Sequence, residues 1–103
     1  MDRLKKTLLE EIEQRWAEQF TALARGEDVS PGARLRTEGL MEAAVMVLEV
    51  SQEQLITDMD TAYNAAFGNS IAQDYGDNWR ELFPFPQIPA MMRRAPVVPT
   101  TKD

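Results

Sequence analysis

The sequence contains neither cysteine nor histidine. The first absence removes disulfides, a thiolate nucleophile and sulfur-ligated metal centres, and makes a reducing, cytoplasmic setting the expectation. The second removes the usual general base and the commonest metal ligand. Long apolar runs are missing too: nothing approaches the roughly 18 residues that a membrane-spanning helix requires. The opening, MDRLKKTLLEEIEQRW, becomes charged at once and carries no apolar stretch of the secretory-signal kind.

Positive charge has its own gap. No lysine or arginine stands between Arg36 and Arg80, while Glu38, Glu42, Glu49, Glu53, Asp58, Asp60, Asp74 and Asp77 all do. The field of that stretch repels phosphate, so neither nucleic acid nor an anionic membrane is an expected partner. Arg93 and Arg94 are too few for a polybasic anchor. Their expected partners are the glutamates of the acidic stretch, such as Glu42 and Glu49.

What is present reads as all-α. From Asp2 to about Arg25, apolar residues recur at Leu4, Leu8, Ile12, Trp16, Phe20 and Leu23, the pattern of a helix with one buried face. Gly26 suits the C′ position, and Ser30-Pro31 supplies an N-cap followed by proline at the first helical position. The second helix, about Pro31 to Val50, is apolar on nearly every side: Leu35, Leu40, Met41, Val45, Met46, Val47 and Leu48 share it with alanines. Only Glu38, Glu42 and Glu49 cluster, within a sector of roughly 40°. Such a helix is expected to be buried all round, and a chain of 103 residues has few elements to cover it. A homodimer with this helix at its centre follows as the expectation, with Met41, Val45 and Met46 at the interface.

Ser51 and Gln54 fit a capping box that opens a third helix, running to Phe67 and stopped by Gly68. Ser70–Tyr75 and Asp77–Phe83 read as short helical turns, the second capped by Asp77. Pro84, Pro86, Pro89, Pro96 and Pro99 then forbid regular helix. The expected organisation is a helical domain over 1–83 and an extended proline-rich arm over 84–103. Phe85, Ile88, Met91, Met92, Val97 and Val98 make the arm too apolar for a solvated linker. It is expected to lie as a strap in a groove of its own chain or of a second subunit, the alternative being a free proline-rich ligand for another protein. Trp79, Phe83, Phe85, Ile88, Met91, Met92, Arg93 and Arg94 complete the candidate partner surface.

One stretch, AAVMVLEVSQEQLITDMD over 43–60, resembles the helix-turn-helix pattern: Ala44 is small, Leu48 ends the first helix, and Val50-Ser51 stand in the turn. Glu49 occupies the place where glycine is usual. The resemblance implies a DNA-binding regulator as the alternative function. The second helix of the motif, however, would present Gln52, Glu53, Gln54, Thr57, Asp58 and Asp60 to the groove, with no cation among them.

Catalytic readings find no support. Ser30, Ser51 and Ser70 stand at expected helix starts, where capping explains them. Asp58-Met59-Asp60 lacks the third acid and glycine of a calcium loop and lies inside an expected helix. The expectation is a non-enzymatic protein without cofactor or metal, acting through protein–protein contact with a second copy and a partner protein that the residues do not identify.

Overall fold

The computed structural model describes residues 2–89. These build three principal helices, α1 (Asp2–Ala24), α2 (Pro31–Leu48) and α3 (Gln52–Phe67), then two short ones, α4 (Ile71–Tyr75) and α5 (Trp79–Leu82). No strand occurs among the described residues. Helix α1 lies against both α3 and α2, while α2 and α3 meet each other little. Its stripe supplies Ile12, Trp16, Phe20 and Leu23 to the core, and Leu4 hangs free at the N-terminal end.

The helix ends follow local chemistry. Gly26 is left-handed, and its amide donates to the Leu23 carbonyl while that of Glu27 reaches back to Ala22, so three trailing residues close the end of α1. Ser30 Oγ accepts the Ala33 amide at the start of α2. Ser51 Oγ accepts the Gln54 amide, but Gln54 turns its own side chain to Asp58 at 2.9 Å. Only half of the expected capping box therefore forms there. The complete box stands at Ser70 and Gln73, opening α4. Helix α5 begins after Asn78, without a side-chain cap from Asp77.

Helix α2 departs from the expectation of all-round burial. It turns Thr37, Glu38, Met41 and Ala44 inward, while Leu35, Met46 and Val47 stand in the open. The reason lies in which helix the others surround. The aromatic side chains of α1 and α3 are the largest apolar groups and pack together, Phe20 against Tyr63 edge-on at 5.2 Å and Tyr63 against Phe67 at 4.3 Å. Helix α2, whose side chains are smaller, covers one flank of α1 and keeps its outward half exposed.

Helix α4 docks on α3 by polar contacts that fix it in place. The Ile71 amide donates to Asp60 at 2.8 Å, and the Tyr63 hydroxyl donates to Asp74 at 2.6 Å. An aromatic row then continues from Tyr63 through Tyr75 to Phe83. It leads the chain into residues 84–89, which return across the body as a strap.

Candidate interaction surface

The strap is held by one carboxylate. Glu38 projects from the inward side of α2 and is 6% exposed. Its Oε2 accepts the Ile88 backbone amide at 2.8 Å and an Arg34 guanidinium N–H at 3.0 Å. Fifty residues separate Glu38 and Ile88, so this bond joins the end of the packed chain to its second helix. The Ile88 side chain is 1% exposed, and Pro89 beside it is fully buried. Filling that socket removes a branched aliphatic side chain from water, worth roughly 1.5–3 kcal/mol. A buried main-chain donor needs an acceptor; within the strap the Pro84 carbonyl takes the Gln87 amide, and Glu38 takes that of Ile88.

Upstream of this bond, Phe83 and Phe85 are half-buried against the core and Trp79 is buried in it. With Gln52, Ile56 and Met59 of α3 they line a shallow cleft. At its edge Arg80 grips Glu53 through two hydrogen bonds, of 2.6 and 3.1 Å. This bidentate contact holds the Glu53 carboxyl below the usual carboxylate range and raises Arg80. The Arg80 guanidinium is thereby committed to its own chain rather than offered to an anion.

A second polar contact ties α1 to α2. Gln19 donates to Thr37 Oγ1 at 2.8 Å, and Thr37 donates in turn to the Ala33 carbonyl at 3.1 Å. Glutamine is rarely buried, and here it supplies a directional bond within an otherwise apolar seam.

The candidate residues thus divide into four groups. Met41 and Ile88 are interior to the chain's own core, as is Trp79; Val45, Phe83 and Phe85 are partly buried and pack against it. Met46 stands in the open. Met91, Met92, Arg93 and Arg94 lie outside the described residues. Glu38 was not legible in advance, because on a helical wheel it groups with the surface acids Glu42 and Glu49. The only signal was Arg34 four residues before it, a spacing that surface pairs share.

The outward face of α2 is the other feature. Leu35 is 58% exposed, Met46 75% and Val47 72%. Between them Gly39 is exposed, and a Cβ built on it would meet nothing within 4 Å. Isolated exposed aliphatics are ordinary, but three on the open side of one helix, around a small residue, form an apolar face. No helix among the described residues is long and apolar enough to cross a membrane. No protein-family model, curated protein or solved structure matches the chain.

Proposed function

We propose that this protein is a non-enzymatic helical interaction protein that works as a homodimer in the cytoplasm, docking through the outward face of α2. The observation that carries the reading is the exposure of Leu35, Met46 and Val47 on a helix whose opposite side is already packed on α1. A self-complementary patch of this kind suits a two-fold interface, in which each subunit covers the other's apolar side chains. Gly39 and Ala43, one turn apart, let a second backbone approach closely. The reading involves no cofactor or metal, and the absence of cysteine and histidine supports that.

Light scattering at micromolar concentration tests it. The expected mass is twice that of the 11.7 kDa chain. Val47→Glu should give a folded monomer, because the new carboxylate would be buried unpaired only in the dimer, at a cost of several kcal/mol, roughly. A wild-type chain that remains a folded monomer throughout that range refutes the homodimer.

A helix-turn-helix regulator is the second reading, favoured by the tight turn between α2 and α3, where Glu49 takes the left-handed conformation and Ser51 caps α3. The outward side of α3 argues against it, since Gln52, Glu53, Gln54 and Thr57 are exposed there with no cation among them. Salt-sensitive, sub-micromolar binding to duplex DNA that survives mutation of Arg93 and Arg94 would favour it over the first.

A further inference from the structure

We propose that residues 84–89 are an autoinhibitory strap: within their own chain they occupy a docking groove for an extended partner segment in which a branched aliphatic residue precedes proline.

The strap is seated at its two ends and little between them. Upstream, Phe83 packs edge-on against Tyr75 at 5.3 Å. Downstream, Ile88 and Pro89 are buried and Glu38 takes the Ile88 amide. Between these anchors Pro84 and Gln87 are exposed, and the Gln87 amide is spent on the strap itself, donating to the Pro84 carbonyl at 2.8 Å. A cleft of about 280 Å³ lies here, lined by Phe85 and Gln87 of the strap and by Ile56 and Met59 of α3. A segment with so few buried contacts opens at a lower free energy than the helices it crosses.

The groove outlasts the strap's departure because its walls are held elsewhere. Helices α2 and α3 touch little, and each packs on α1. The Gln19–Thr37 bond fixes α2 to α1, and Phe20 against Tyr63 fixes α3 to it. Arg34 stays paired with Glu38 at 3.0 Å and keeps the carboxylate in position. Lifting the strap therefore leaves an apolar socket with a main-chain acceptor at its edge.

The strap also specifies what that groove takes. Three prolines in six residues hold it extended before it docks, so little backbone freedom is lost on seating. The branched side chain of Ile88 fills the socket, and Pro89 enters without an N–H that needs an acceptor. Every peptide offers a main-chain amide to Glu38, so selectivity falls on the aliphatic residue and the proline after it. The tethered strap competes with any such partner at an effective concentration on the order of millimolar, which makes it inhibitory. Glu38 is on the inward side of α2, away from Leu35, Met46 and Val47, so this groove does not rest on the homodimer reading.

Two measurements test the proposal. Native-state hydrogen exchange of the full chain in low urea should show the Gln87 and Ile88 amides opening roughly ten-fold or more above the slowest amides of α1 and α3. Full-length Ile88→Asp, which expels the strap, should keep its helices. By NMR titration it should bind an acetylated, amidated peptide copy of residues 84–89 roughly ten-fold or more tightly than wild type does. The same peptide carrying Ile88→Asp should not bind. Adding Glu38→Ala to the Ile88→Asp chain should weaken binding of the unaltered peptide roughly ten-fold or more. An Ile88 amide that exchanges only with global unfolding overturns the proposal. So does an Ile88→Asp chain that unfolds, because the strap is then part of the core and not a removable occupant. Peptide binding that is absent, equal in wild type, or indifferent to Glu38→Ala overturns it as well.

Discussion

Replacing Glu38 by alanine isolates what a single buried carboxylate does for the fold. In the wild-type chain its Oε2 is the acceptor for the Ile88 amide, inside a region where both Ile88 and Pro89 are buried. Alanine leaves that N–H with two outcomes. It can stay buried without a partner, at roughly 1–3 kcal/mol, or the strap can lift into water and forfeit the burial of Ile88, roughly 1.5–3 kcal/mol. The protein takes the cheaper, so the expected loss is about 2 kcal/mol. The half-exposed Arg34 pair adds only a few tenths, roughly. Near 100 residues, a loss of that size lowers Tm by about 8–16 °C. Glu38→Gln keeps an acceptor oxygen and should cost less than about 1 kcal/mol. The decisive comparison repeats Glu38→Ala in a chain ending at Phe83, by urea denaturation with hydrogen exchange of the Ile88 amide in the full-length protein. Without the strap the substitution should be nearly silent, a coupling of about 2 kcal/mol between two parts 50 residues apart. An equal cost in both chains, or an Ile88 amide as protected in Glu38→Ala as in wild type, refutes the reasoning.

Other substitutions probe the remaining contacts. Thr37→Val removes the nearer acceptor of Gln19, leaving it only the Ala33 carbonyl at 3.4 Å, and should cost about 1–3 kcal/mol by thermal or urea melts, whereas Thr37→Val with Gln19→Leu should recover most of it, because an apolar pair leaves no unmet amide. Glu49→Gly, made in a chain ending at Pro89 so that the arginines play no part, should raise stability by about 0.5 kcal/mol: relieving a left-handed backbone gains about 1 kcal/mol and the freer unfolded glycine gives some back. Glu53, whose pKa is lowered by Arg80, contributes stability that is present above its ordinary pKa and lost as pH falls through the depressed value. Acid titration of wild type against Glu53→Gln should therefore diverge most above the ordinary carboxylate range and converge in strong acid, with the difference shrinking as salt is raised.

The helical framework was legible because its signals are local. A stripe recurring every three to four residues, a serine before a proline and a glycine after an apolar run each act within one turn of helix, so α1, α2 and α3 emerge close to their expected ends. The capping at Ser51 shows where local reasoning thins. The Ser51–Gln54 and Ser70–Gln73 pairs have the same spacing, yet Gln54 finds Asp58 one turn ahead and leaves its box half-made, while Gln73 returns to the Ser70 amide.

What escaped the sequence depends on distance along the chain. An apolar wheel states how much of α2 can be buried, not which of its sides the other helices reach; bulk decides that, and Trp16, Phe20 and Tyr63 place α1 rather than α2 between its neighbours. Glu38 is illegible for the same reason. Nothing within four residues distinguishes it from Glu42 except Arg34, and its role follows from a donor contributed by a proline-rich strap far along the chain. Yet the two surprises share one cause. Because α2 packs at the side of α1 and not at the centre of a bundle, its glutamate line is left at the margin of the core. There the strap reaches Glu38, which becomes its anchor, while Glu42 and Glu49 stay exposed.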